Sequence, residues 1–302
     1  VLRITMGFFM AILISVLYLE TREAKQDQVV QSFIQSFFFV SVPGLFSIVS
    51  VVVNYLANLN VKSEVQNGMY SPLAYVIALT IAEIPWVFVI AFASLLPNYL
   101  ILKWYWPKFW LEWLLMATVV WAFDAIAQCL SLDPNPVLAC LNLIGIWFTW
   151  FLLSGAFVPP ENVFWPAQVL SWTSPLRWVL HSIMYVQTFY GPVHSGTVLC
   201  NISSTCPNGF TCPDLHPNNC FGRTGEEVLN SVHVVYSVFD ANDHTLRDAL
   251  IVLGMTAFFK VVFALGLMNK CRLGQSVVPT AAQSAQTPGM VVDWSCRQLR
   301  LR

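Results

Sequence analysis

Charged residues are scarce in this sequence. Of its 302 residues, 10% are charged, whereas 57% are hydrophobic and 14% are aromatic. A soluble domain carries about 25% charged residues, and a soluble chain with so few would expose large apolar patches and aggregate. The composition therefore excludes an ordinary soluble domain and predicts an integral membrane protein.

Several functional motifs are also missing. The formal net charge is −1 and no long basic stretch occurs, so nothing in the charge pattern points to nucleic acid. No GxxxxGK[ST] loop occurs, so we do not expect the chain to cradle ATP by itself. No nucleophile motif accompanies His181, which disfavours an intramembrane hydrolase and leaves no candidate catalytic residue.

Six apolar runs predict membrane-spanning helices, because about 20 apolar residues in a helix cross the hydrocarbon and satisfy their own backbone there. They cover residues 5–19, 33–56, 72–102, 110–130, 137–158 and 246–268. The first run could also be a signal peptide, but no small-residue cleavage site follows it, and we favour a span. Since the chain begins at Val1, we expect this first span to be truncated.

A seventh apolar stretch, residues 163–190, makes a poor simple crossing. It contains Pro166, Pro175, Arg177 and His181. Prolines interrupt a helix, and bent backbone is tolerated at membrane depth where it is buried in protein. We predict a re-entrant helix–break–helix that returns to the side from which it entered.

Residues 191–244 are different in character and predict an extracellular loop. They contain a glycosylation sequon at Asn201 and four cysteines, namely Cys200, Cys206, Cys212 and Cys220. Zinc and disulfides are both possible, but CxxC pairs are absent, so we favour disulfides formed outside the cytosol, with connectivity open. Because successive spans alternate in direction, an extracellular loop at residues 191–244 places residues 58–71, 133–135 and the tail in the cytosol. The tail, residues 273–302, is rich in Ser, Ala, Gln and Pro and is expected to be disordered.

Ionisable and amide side chains within the spans are functional candidates, because burying them in hydrocarbon is costly. Glu83 lies two residues before Pro85, and Asp124 and Gln128 lie one helical turn apart. For Asp124 and Gln128 we favour an interhelical hydrogen-bonded pair over a proton relay. Lys260 is expected to extend towards the cytosolic headgroups.

Three segments together resemble the transmembrane domain of ATP-binding cassette transporters of the G subfamily, the White and pleiotropic-drug-resistance group. They are SEVQNGMYSPLAYVIALTIAEIPW, FLLSGAFVPPENVFWPAQVLSWTSPLRWVLHSIMYVQTFYG and CFGRTGEEVL. The resemblance implies an all-α membrane protein with six transmembrane helices, an amphipathic coupling helix, a re-entrant pair and a disulfide-bearing extracellular loop. An ABC-2 type transmembrane domain would occupy residues 1–272.

The resemblance also implies roles for particular residues. Glu64, Gly68 and Tyr70 match the coupling helix between spans two and three, which presses on a nucleotide-binding domain; an ordinary connecting loop is the alternative. The substrate passage corresponds to Phe38, Leu45 and Phe46 on span two and to Ile144, Phe148 and Phe151 on span five, and these residues could instead face lipid or pack between helices. Ala156 and Phe157 match an apolar constriction at the exit. The Glu-Arg pair common in the family is replaced by Asn58-Leu59, which puts an ionic clasp there in doubt.

The implied function is ATP-driven export of lipids, sterols or other apolar compounds by alternating access. Its partners would be a nucleotide-binding domain holding ATP and Mg²⁺, on the same full-length polypeptide or a separate chain, and a second transmembrane half as homo- or heterodimer. Membrane lipids and an apolar small molecule complete the set, with the plasma membrane as the expected location. The alternative is a membrane scaffold or lipid-handling protein of the same fold without ATP coupling.

Overall fold

The computed structural model describes residues 2–25, 28–159, 163–191, 221–222, 224–234 and 236–275. Within these ranges the elements are helical, which confirms the predicted all-α class. The α-helices are α1 (Leu2–Leu17), α2 (Val29–Leu45), α3 (Ile48–Gln66), α4 (Pro72–Ile101), α5 (Phe109–Leu130), α6 (Pro136–Leu152), α7 (Trp165–Trp172), α8 (Pro175–Phe189), α9 (Gly225–His233) and α10 (Thr245–Gln275).

Proline sets the start of several helices. Pro72, Pro136 and Pro175 each occupy the first position of their helix, where the missing N–H costs nothing and the fixed φ suits the helix. Two of the residues that precede these prolines also cap their helices. The Ser71 hydroxyl accepts from the Ala74 amide at the start of α4, and the Asn135 side chain accepts from the Val137 amide at 3.0 Å at the start of α6. The helix boundaries therefore follow from local sequence.

Helix α5 is the centre of the bundle. In its most apolar 18-residue stretch 72% of the residues are buried, against 22% for α4 and 28% for α10. Small side chains such as Ala117, Ala122, Ala125 and Ala127 are almost fully buried along it, which lets neighbouring helices approach closely. The helices around α5 keep an apolar outer face, as expected where lipid rather than water is the surrounding solvent.

Helix α2 makes a close approach to α5 at Gly44. A Cβ added there would lie 2.6 Å from Cδ2 of Phe123, whose side chain is fully buried. The same segment contains Pro43, and helix α2 ends at Leu45, with α3 starting at Ile48. The predicted span at residues 33–56 is thus a helix interrupted next to a Pro-Gly pair.

Four helical stretches are long and apolar enough to cross a membrane: Val29–Val65, Pro72–Ile101, Trp106–Leu130 and Thr245–Cys271. Helices α1 and α6, at 16 and 17 residues, are shorter apolar helices. Six crossings therefore stay a prediction. A helix–break–helix is present as α7 and α8, whereas its re-entry into the membrane stays a prediction as well.

The two ends of the bundle collect different segments. At one end the end of α3, the turn before α4, the residues after α5 and the end of α10 share an apolar cluster that includes Val65, Tyr70, Leu132 and Cys271. At the other end Tyr105 stacks on Tyr190, which also contacts the Lys108 ammonium at 4.0 Å. The elbow predicted to be cytosolic therefore lies at the same end of the bundle as the residues after α5 and the end of α10, whereas residues 276–302 of the predicted tail lie outside the described ranges.

Candidate functional site

The polar elbow between α3 and α4 is a tight, hydrogen-bonded turn. Helix α3 continues to Gln66, so the segment predicted to be a short amphipathic coupling helix comprises the end of α3 and a turn at residues 67–71. Gly68 has φ +76°, a left-handed conformation that glycine adopts without strain. The Tyr70 hydroxyl donates to Oε2 of Glu64 at 2.5 Å.

The structure thus brings together the three residues predicted for coupling. Burial and the Glu64 hydrogen bond raise the pKa of Tyr70 to about 12, so the phenol keeps its proton and acts as the donor. The ring of Tyr70 also stacks on Tyr75 in the first turn of α4, with centroids 6.3 Å apart. The turn is therefore tied to both helices that it connects, and a force on it would reach both.

A cluster of aromatic rings joins α2 to α6 and to the turn after α6. Phe151 lies 4.5 Å from Phe37, 5.9 Å from Phe38 and 5.3 Å from Phe157, measured between ring centroids. Phe148 stacks on Phe151 at 6.4 Å and is 53% exposed. Four of the predicted passage and exit residues therefore meet in one cluster, to which Phe37 adds a buried ring.

The turn that carries the predicted exit residues depends on Gly155. Its φ is +89°, and a Cβ there would lie 2.4 Å from Cγ2 of Val238. The turn places Phe157 edge-on against Phe37, with centroids 4.9 Å apart. Gly155 thus allows the chain to reverse in close contact with the segment that follows α9.

An apolar cavity of about 320 Å³ adjoins this cluster. Its walls come from α2, the turn after α6, and the segments around α9, and they include Val30, Phe33, Ile34, Phe37, Ala156, Phe157, Val232, Tyr236 and Phe239. Such a lining suits a flat apolar molecule, because aromatic faces give contact area without requiring polar partners. The predicted exit residues Ala156 and Phe157 are part of this wall.

The other predicted passage residues lie elsewhere on the same two helices and their ends. Leu45 ends α2 and Phe46 lies at the break before α3, both partly buried. Ile144 is 38% exposed on α6, about one turn before Phe148. Phe148 and Ile144 thus lie along one exposed apolar stripe of α6, which the aromatic cluster extends at one end.

A buried ionic network connects α4, α5 and α10. The Lys260 ammonium donates to Oε2 of Glu83 at 2.5 Å and to Oε1 of Gln128 at 2.7 Å, and the Gln128 amide nitrogen donates to Oε1 of Glu83. Lys260 is 8% exposed. The prediction that Lys260 extends to the headgroups is wrong, because its charge is neutralised within the bundle by Glu83.

A second network connects α1, α3 and α5. Nη1 of Arg3 donates to both oxygens of Asp124, at 2.6 and 2.7 Å. Nη2 of Arg3 donates to Ser47, and the Ser50 hydroxyl donates to Asp124 at 3.0 Å. Asp124 and Gln128 therefore each form interhelical hydrogen bonds, but with different helices, and they are not each other's partner.

A third polar cluster, around His181, was not anticipated from the sequence. Nδ1 of His181 lies 2.6 Å from Oδ2 of the fully buried Asp248, and Nε2 lies 3.1 Å from Oδ1 of Asp240. Burial lowers the pKa of His181, but the hydrogen bonds and charges of Asp248 and Asp240 raise it by more, so the net shift is upward. The cluster ties α8 to the start of α10.

Several predicted residues lie outside the described ranges. These are the loop cysteines Cys200, Cys206, Cys212 and Cys220 and the sequon residue Asn201. The cysteines that the structure does describe, Cys129, Cys140 and Cys271, form no disulfide. Disulfides and a glycan in the loop therefore stay predictions.

Apolar outward faces and charged networks inside the bundle define an integral membrane domain. Comparison with known proteins refines this class: the family described as "ABC-2 type transporter" matches residues 1–188, more than half of the chain. The chain belongs to this family. It is therefore a membrane component of a transport system.

Part of the chain is also similar to two ABC transporters of the G family. ABC transporter G family member 49 of Oryza sativa subsp. japonica is 30% identical over 127 residues, which are 40% of this chain and 8% of that protein. ABC transporter G family member 41 of the same organism is 29% identical over 134 residues, which are 42% of this chain and 9% of that protein. The matched segment thus spans less than a tenth of either relative.

Proposed function

We propose that this chain is the transmembrane part of an ATP-driven exporter of apolar compounds such as lipids or sterols. The observation that carries the proposal is the aromatic cluster between α2 and α6 with its adjoining cavity of about 320 Å³. When α2 and α6 separate, a flat apolar molecule can slide between their aromatic rings, because contact with aromatic faces requires no polar partner. Phe157 and Ala156 act as the constriction that opens when the helices separate.

The elbow supports the coupling half of the proposal. The Glu64–Tyr70 hydrogen bond fixes a turn at the end of the bundle where α3, α4 and α10 meet. A nucleotide-binding domain holding ATP and Mg²⁺ would press on this turn, and the stacked Tyr70 and Tyr75 would pass its movement to α4. That domain belongs to the same polypeptide or to a separate chain.

A second transmembrane half completes the passage in this proposal. The exposed apolar stripe of α6, with Ile144 at 38% and Phe148 at 53% exposure, would face the equivalent helices of that half. Substrate would then travel between the two halves from the end that carries the elbow towards Phe157, at the plasma membrane. This direction makes the elbow cytosolic and the loop bearing Asn201 extracellular.

Transport by the assembled transporter, purified with its nucleotide-binding domain, tests the proposal. Phe148→Ala should change substrate-stimulated ATPase activity and slow ATP-dependent uptake of a labelled sterol into inside-out vesicles. Phe258→Ala is the matched control, because Phe258 is 63% exposed on α10 and outside the cluster. Equal uptake by both variants would mean that the cluster only packs, and a wild type without ATP-dependent uptake would favour the scaffold alternative.

A further inference from the structure

A second cavity, of about 350 Å³, lies where α7, α8 and α10 meet. It differs from the apolar cavity in being lined by charged and indole side chains. Its walls include Trp172, Arg177, Trp178, Asp240 and Arg247. Neither the passage nor the elbow uses any of these residues.

Arg177 lines this cavity and has no counter-ion among the residues that the structure describes. No carboxylate of the described residues lies within 4.0 Å of its guanidinium. Its Nη1 donates to the Ser171 hydroxyl at 2.9 Å, and its guanidinium carbon lies 4.7 Å from the Trp172 ring centroid and 5.8 Å from that of Trp178. These contacts orient the guanidinium but do not neutralise it.

The two nearby carboxylates differ in their burial and partners, and neither lies within 4.0 Å of Arg177. Asp248 accepts from Nε of Arg247 and from the Ser182 hydroxyl, and it lies 2.6 Å from the His181 ring. Oδ1 of Asp240 lies 3.1 Å from the other nitrogen of that ring, and Oδ2 lies 3.5 Å from Nε2 of His244; the Asp240 side chain is 28% exposed at the cavity wall. The cavity therefore offers an unneutralised guanidinium on one side and a partly exposed carboxylate on another.

The surroundings of the cavity are typical of a membrane interface. Helix α7 exposes large apolar side chains, with Trp165 75% and Trp172 52% exposed. Helix α10 is a candidate span that begins at Thr245, so Arg247 lies in the first turn of that span, where we expect the lipid headgroups. Indole and guanidinium groups are favoured at this depth, where one end of a ligand is apolar and the other is charged.

We propose that this cavity binds the headgroup of a zwitterionic phospholipid. Arg177 holds the phosphate, because a guanidinium binds phosphate oxygens through two parallel hydrogen bonds. Asp240 faces the ammonium group of the same headgroup, and the acyl chains lie along the exposed face of α7. This inference does not depend on which molecule is transported.

Binding of diheptanoylphosphatidylcholine to the purified, delipidated transporter tests it by titration calorimetry. Losing a charge-assisted bidentate contact corresponds to about a tenfold weaker affinity or more, so Arg177→Gln should raise the Kd at least about tenfold. Arg22→Gln, at an exposed arginine outside the cavity, should leave the Kd unchanged. Diheptanoylglycerol, which has the same chains and no phosphate, should bind wild type at least about tenfold more weakly.

Three results would overturn the proposal. Equal Kd values for wild type and Arg177→Gln would show that the guanidinium does not hold the headgroup. Equal binding of diheptanoylglycerol would show that chains alone are recognised, and equal binding of inorganic phosphate would show a site for free anions. Should Arg177→Gln fail to fold, Arg177→Lys is tested instead. This variant keeps the positive charge but loses the two parallel hydrogen bonds of the guanidinium, so it should weaken phosphatidylcholine binding. An unchanged Kd would contradict the assignment.

Discussion

Removing the Lys260 ammonium from the buried network should destabilise the membrane domain more than any change on its lipid-facing side. Lys260→Met keeps the side chain's length and leaves Glu83 at membrane depth with Gln128 as its remaining partner. Deleting one member of a buried ion pair costs about 3–5 kcal/mol, because the other charge is left uncompensated. We expect a loss of this size, measured as the unfolding free energy in detergent–SDS titrations.

The double variant separates this explanation from simple loss of packing. Glu83→Gln with Lys260→Met removes both charges, so it should cost clearly less than Lys260→Met alone, since replacing a whole buried pair is often nearly neutral. Lys270→Met, at an exposed position of the same helix, is the control and should change stability by about 0.5 kcal/mol or less. A loss below about 1 kcal/mol in Lys260→Met, or strict additivity in the double variant, would refute the reasoning.

Two further predictions concern packing and pH. Gly44→Ala should lower the unfolding free energy by about 1–3 kcal/mol, because the added methyl group overpacks against Phe123. Gly145→Ala, where a Cβ meets nothing within 4 Å, should not lower it. Thermal unfolding measures both variants, and equal melting temperatures would contradict the close approach of Gly44 to Phe123. The folded-state pKa of His181 lies above its ordinary 6.5, so the stability from its contact with Asp248 is complete below pH 6.5 and is lost as pH rises through the folded pKa. The melting temperature should therefore fall above pH 6.5 in wild type and not in His181→Gln, and parallel profiles would argue against a charged His181.

Features set by neighbouring residues could be predicted from the sequence. The polar stretch with Gly68 and Pro72 predicts a turn, because glycine permits positive φ and proline favours a helix start. The family resemblance implies one passage for the aromatic residues of α2 and α6, and the structure brings Phe38, Phe148 and Phe151 together. The break between α2 and α3 has a local signal in Pro43 and Gly44, because a Pro-Gly pair disfavours a continuous helix.

Partners distant in the chain could not be predicted from local pattern. Asp124 and Gln128 share a helix face, which favours interhelical hydrogen bonds for both, but α1 and α10 approach α5 at different places. Asp124 therefore pairs with Arg3, 121 residues away, and Gln128 with Lys260. The same holds for His181 and Asp248, whose contact depends on how α8 packs against α10.

The most direct test of the central claim, that the elbow couples ATP hydrolysis to transport, is the number of substrate molecules moved per ATP hydrolysed. Tyr70→Phe removes the hydroxyl that donates to Glu64, whereas Tyr75→Phe removes a hydroxyl with no hydrogen bond to the part of the chain that the structure describes. The account predicts that Tyr70→Phe lowers this ratio several-fold with ATPase activity retained, while Tyr75→Phe leaves it unchanged. A Tyr70→Phe transporter with the wild-type ratio would contradict it.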